Sequence, residues 1–185
     1  RGKEEMNDLF IRRLDLDWDR VEERSYLRRI PALQGLRSLE FTAPITLFVG
    51  ENGTGKSTLL EAIAVAYGFN PEGGTRNYNF STYDSHSDLC RAIHLTKGYR
   101  RAEGGYFLRA ESFYNVATKE MEYADPRHPS RRYHERSHGE SFLELFQWRL
   151  GGGGLFLFDE PEAALSPQRQ MTLLVEIYRS AQAGS

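Results

Sequence analysis

The chain has 185 residues, 39% hydrophobic and 27% charged, which excludes a disordered polymer and allows one domain with a real core. A net charge of −2 gives no global pull toward nucleic acid, so such a contact would have to come from a local patch. The single cysteine, Cys90, excludes a disulfide within the chain and fits a reducing compartment. No apolar run approaches the length of a membrane span, and residues 1–5 are too charged for a signal peptide, with Met6 a candidate natural start. A cytoplasmic protein with no membrane insertion is expected.

Residues 9–16 end in an alternation of apolar and charged side chains, which predicts a half-exposed strand. Residues 17–34 are charge-rich and expected to be irregular. Residues 36–41 predict a second short strand, and Thr42-Ala43-Pro44 turns the chain into the apolar run 44–49, read as a buried strand. Two short strands leading into it suggest an antiparallel edge on a parallel sheet.

Gly50-Glu51-Asn52-Gly53-Thr54-Gly55-Lys56-Ser57-Thr58 follows and fits G-x-x-x-x-G-K-[ST], the phosphate-binding loop. Glycines at 50, 53 and 55 let the backbone curl so that successive N–H groups point at an anion, and the helix behind adds the positive end of its dipole. Asn52, Gly53, Thr54, Gly55, Lys56, Ser57 and Thr58 are therefore the expected nucleotide-binding residues. Lys56 would place its ammonium on the outer phosphates, and the Ser57 hydroxyl would ligate Mg²⁺. Leu59, Leu60, Ile63, Ala66 and Tyr67 recur at helical spacing, with Gly68 as the stop.

Residues 70–74 form a turn cluster, and residues 75–104 are polar and hard to read beyond a short helix at 88–95. Residues 105–110 predict a strand, and Ser112 would cap a helix over 113–123. Residues 125–136 make a basic, proline-bearing loop. Its arginines, Arg127, Arg131, Arg132 and Arg136, can be a solvated face, lie beside a nucleotide or an interface, or contact nucleic-acid phosphates. Ser137-His138-Gly139-Glu140 opens an amphipathic helix carrying Phe142, Leu143, Leu145, Phe146 and Leu150; Ser137 with Glu140 also fits a capping box. Glycines 151–154 break that helix and read as a flexible linker.

Leu155-Phe156-Leu157-Phe158 is a continuous apolar run, the pattern of a strand buried on both faces in a parallel sheet, and it ends at Asp159-Glu160. Asp159 is placed to hold the Mg²⁺ shell, and Glu160 to take a proton from the attacking water; a plain helix cap at a strand end is the alternative. Ser166 and Pro167 supply an N-cap and a first-turn proline. Met171, Leu174, Val175 and Tyr178 then predict the face by which the last helix packs on the sheet.

GENGTGKST, SHGE and LFLFDEPEAALSP, in that order, resemble the phosphate loop, signature and Mg²⁺ strand of ABC-type ATPases, over roughly residues 9–180. The chain is most similar to the small soluble ABC-type ATPases of bacteria, with kinship to the ATPase heads of DNA-repair and chromosome-structure proteins. The resemblance implies an α/β P-loop NTPase fold: a mainly parallel sheet flanked by helices, an antiparallel edge and a small inserted lobe. It implies one domain over 1–185, with a core of about 6–68 and 137–185 and the lobe at about 69–136. It further implies ATP and Mg²⁺ as cofactors, Lys56 and Glu160 as catalytic residues, and Ser57 and Asp159 as metal ligands. Two ATP molecules would lie in a head-to-tail homodimer, with Ser137, His138 and Gly139 acting as a signature in trans and residues 163–166 crossing the interface. An effector protein or nucleic acid is the expected partner.

Two parts of that family's pattern are missing. No glutamine occurs from residue 71 to 116, where Asn77 or Asn79 is a weak substitute, and no switch histidine follows the last helix, so one or more C-terminal strands are expected to be lacking. The functional expectation is an ATPase that closes on ATP and drives or gates a partner. The alternative is an ATP-gated dimerisation module with little or no hydrolysis.

Overall fold

The computed structural model describes residues 9–75, 88–109 and 152–185, which fall into two units: 9–71 with 88–103, and 72–75 with 104–109 and 152–185. The helix expected at 113–123, the basic loop, Ser137 to Gly139, the helix carrying Phe142 to Leu150, and Asn77 and Asn79 lie outside the described residues.

In the first unit, β1 (Ile11–Leu16) buries Ile11, Leu14 and Leu16 and exposes Arg12 and Arg13. Two exposed residues in succession break the period of two, and the pairing register shifts between Ile11 and Arg13, as in a bulge. β1 pairs antiparallel with β2 (Ser38–Glu40) and with β3 (Ile93–Lys97), in the order β2-β1-β3. Leu14, fully buried, stands opposite Leu39 on one side and Leu95 on the other. The two short strands ahead of the loop are thus present as an antiparallel pair. The helix expected over 88–95 is shorter: α2 (Leu89–Ala92) stops where Ile93 enters β3 and joins the ladder.

The charge-rich stretch 17–34 gains order from its polar groups. Asp17 and Ser25 cap 3-10 turns at Trp18–Arg20 and Tyr26–Arg29. The Arg28 guanidinium lies over the Trp18 ring and donates to the Trp18, Val21 and Glu22 carbonyls at 2.8, 2.7 and 3.1 Å. Leu27 and Leu33 close this segment onto the core.

Residues 44–49 do not form the expected buried strand. They pair with nothing among the described residues, and Leu47 and Val49 are 75% and 90% exposed. Apolar composition supplies the side chains of a buried strand but not its ladder partner.

α1 (Lys56–Tyr67) buries Leu59, Leu60, Ala62, Ile63, Ala64 and Tyr67 and packs on α2 and β3. It ends as the sequence predicts. Gly68 takes φ 114° and donates to Val65, and Phe69 donates to Ala64, the paired bonds of a Schellman cap.

In the second unit, β4 (Gly104–Arg109) runs parallel to β5 (Gly154–Asp159), paired residue for residue from Gly104↔Gly154 to Arg109↔Asp159. The far edge of β4 is covered by Gly74, which exchanges two hydrogen bonds with Phe107, at 2.8 and 3.0 Å. Burial of β5 is less complete than the sequence suggests: Leu157 is buried, while Leu155, Phe156 and Phe158 are half-buried. The described glycines of the 151–154 run are not a linker. A Cβ on Gly152 would collide with the Ala183 carbonyl, and Gly154 opens β5 and donates to Ser185 Oγ at 3.3 Å.

α3 (Pro167–Gln182) starts at Ser166 and Pro167 as expected, although the Ser166 side chain makes no cap bond. Its rotation differs from the prediction: Met171, Leu174, Val175 and Tyr178 are exposed, and Leu173 and Ser180 are buried. The close approach of Gly152 and Gly154 to Ala183 and Ser185 fixes the end of the helix, and Ser180, Ile177 and Leu173 lie on the face that follows back from it. No helix among the described residues is long and apolar enough to cross a membrane.

Candidate nucleotide-binding site

The loop of the first unit is shaped by glycine where only glycine serves. Gly53 and Gly55 take φ 79° and 101°, and Gly55 is the N-cap of α1 in a left-handed conformation. A Cβ on Gly55 would collide with Ile30 Cγ2 and meet Ala32 Cβ at 3.7 Å, so the segment after the second 3-10 turn backs the loop. The Ala32 N–H donates to the Thr54 carbonyl at 2.9 Å, and Thr54 Oγ1 donates to the Glu51 carbonyl at 2.8 Å.

Gly55 leaves the first turn of α1 without a side-chain cap, so the amide groups that begin the helix have no internal acceptor. Such a terminus suits an anion. Lys56 is the first helical residue, and its Nζ donates to the Gly50 and Glu51 carbonyls at 2.7 and 2.8 Å. The ammonium is therefore folded over its own loop, where a phosphate would compete for it. Ser57 and Thr58 follow in the first turn, half-buried, while Asn52 and Gly53 are exposed at the tip. Amide donors, an ammonium and a hydroxyl gathered on one loop are a donor set that fits a polyphosphate.

The carboxylates belong to the second unit. Asp159 ends β5 with its side chain 13% exposed, and Arg109, its partner in register, stands beside it with Nε 3.8 Å from Oδ2. Glu160 is exposed and takes φ 49°, ψ 47°, the one positive φ outside glycine among the described residues. That conformation costs about 1–2 kcal/mol and turns the chain sharply at the strand end. Pro161–Ala164 continues as a 3-10 turn, closed by Ala163 N–H to the Glu160 carbonyl and Leu165 N–H to the Glu162 carbonyl. Gln170 Nε2 reaches back from α3 to the Glu162 and Leu165 carbonyls at 3.4 and 3.2 Å and holds the turn on the helix.

No cluster of three or more His, Cys, Asp or Glu side chains suited to a metal occurs among the described residues. Ser57 in the first unit and Asp159 in the second each carry an oxygen of the kind Mg²⁺ accepts, and that ion usually completes its shell with phosphate oxygens and water. Ile30, Ala32, Arg109 and Gln170 are supports that reading the sequence missed. Of these only Arg109 carried a signal, as the one charged residue within the strand predicted over 105–110.

These features define a P-loop nucleotide-binding, ATPase-like protein of the α/β class. The chain belongs to the AAA domain family, whose model matches residues 24–123, more than half of its length. That family is one of ATPases that generally bind ATP with Mg²⁺. The match takes in the phosphate loop, α1 and β4, and ends before Asp159 and Glu160. No curated protein and no solved structure matches the chain.

Proposed function

We propose that the protein is an ABC-type ATPase that closes into a head-to-tail dimer around two Mg·ATP and opens after hydrolysis, driving or gating an effector protein or nucleic acid. Asn52 to Thr58 bind the phosphates, Lys56 neutralises the outer ones, and Ser57 and Asp159 share the metal. Glu160 accepts the proton of the attacking water. Ser137, His138 and Gly139 of the other subunit complete each site, where the start of a helix can offer N–H groups to the γ-phosphate. The metal, when bound, spreads the charge that develops on the transferred phosphoryl group; the protein positions the groups around it.

The observation that carries this reading is the loop itself: left-handed Gly53 and Gly55 deliver Lys56 and Ser57 into an uncapped helix start. Glu160 held in a strained backbone conformation beside Asp159 supports the assignment of the base. The experiment is Glu160→Gln. A positioned base contributes about 10²–10⁴-fold, so ATP turnover should fall by at least about a hundredfold while an ATP-dependent dimer accumulates on a sizing column. Unchanged turnover would remove Glu160 from this role, and a monomer at saturating ATP would remove the dimer.

A further inference from the structure

We infer that Arg109 is a positioning residue, a built-in counter-charge that holds Asp159 until a divalent cation takes it. The inference rests on reading Asp159 as a metal ligand. Arg109 and Asp159 are the last residues of two parallel strands and face each other in register. Their side chains are 24% and 13% exposed. A carboxylate covered to that extent is costly without compensation, and a guanidinium stays charged at any pH the protein meets.

The separation fits a temporary partner. At 3.8 Å from Nε to Oδ2, the pair lies beyond hydrogen-bond length, so this contact neutralises Asp159 without closing a bidentate clamp on it. A cation at ordinary Mg²⁺ distance, about 2.1 Å, would interact more strongly than the guanidinium and displace it. The backbone under Arg109 is fixed. β4 is paired to β5 on one side and to Gly74 on the other, Phe107 and Leu108 are fully buried, and a Cβ on Gly73 would press on the Phe107 carbonyl at 2.9 Å. Exchange at Asp159 is then a matter of side chains alone, and metal binding carries the cost of losing the arginine.

The test is Mn²⁺ binding, read by the loss of the free-ion EPR signal, to protein loaded with a non-hydrolysable ATP analogue. Removing the competing charge with Arg109→Met should tighten Mn²⁺ binding about fivefold, the weight of a modest ion pair. Arg109→Gln should do the same, which guards against a methionine variant that does not fold. Arg109→Lys keeps the charge and should stay near the wild type, which a purely packing role would not produce. Asp159→Asn should weaken binding. Weakening in Asp159→Asn with unchanged or weaker binding in both neutral Arg109 variants would overturn this inference alone. Unchanged binding in Asp159→Asn would overturn the metal role of Asp159, and the inference with it.

Discussion

Alanine at Gly55 and at Gly53 should have different costs, and the difference measures how the phosphate loop is held. Both residues have positive φ, 101° and 79°, so each alanine carries the left-handed penalty of about 1–2 kcal/mol. Around Gly53 no atom lies within 4 Å of the added Cβ, and the cost ends there. At Gly55 the Cβ would collide with Ile30 Cγ2, a branched side chain with little freedom to rotate away. Overpacking of that kind adds about 1–3 kcal/mol, giving about 2–5 kcal/mol for Gly55→Ala. Against a total stability of about 5–15 kcal/mol, the larger figure is visible as a clear shift of the urea midpoint. Ile30→Ala removes the colliding methyl, so the double variant should be less destabilised than the sum, with a coupling of about 1 kcal/mol or more. Equal losses for Gly53→Ala and Gly55→Ala, together with additivity at Ile30, would refute the packing of the loop on residues 30–32.

Leu173→Ala should cost about 2–4 kcal/mol and Leu174→Ala less than about 0.5 kcal/mol in denaturant unfolding, because the first is buried and the second exposed; the reverse order would restore the helix face expected from sequence. Glu160→Gly should raise stability by about 0.5–1 kcal/mol by relieving the left-handed strain while abolishing turnover; a destabilised variant would mean the strain is not there. Burial, ahead of the nearby charges, pushes the Cys90 thiol above its ordinary 9.0. The folded protein then holds this proton longer than the unfolded chain does. Its stabilising contribution is whole below that ordinary value and is lost as pH rises through the folded value. The wild type should therefore lose more stability than Cys90→Ser between neutral and alkaline pH, and parallel curves would contradict that.

What could be read from the sequence were features set by a few neighbouring residues. The glycine at 68 ends α1 through its own backbone, the alternation around Leu14 and Leu16 makes β1, and the apolar run into Asp159 makes β5. What could not be read depended on distant partners. Residues 44–49 have the composition of a strand but no described neighbour to pair with. α3 carries two stripes that sequence alone does not rank, Met171 to Tyr178 and Leu173 to Ser180, and the contact of its end with Gly152 and Gly154 decides between them. The glycines near 152 looked like slack because a missing Cβ reads as freedom; here it permits close approach of two backbones. The site divides the same way. The curl of the loop follows from its glycines, whereas Ile30 under Gly55 and Arg109 beside Asp159 are neighbours only once the chain has folded.

Calorimetric titration of Mg·ATP into the wild type and into Lys56→Ala tests the account most directly. The wild type should bind, and the variant, lacking the ammonium that now rests on the Gly50 and Glu51 carbonyls, should show no measurable binding while its far-UV spectrum stays unchanged. A folded Lys56→Ala protein that takes up ATP as tightly as the wild type would contradict the phosphate-binding role of the loop.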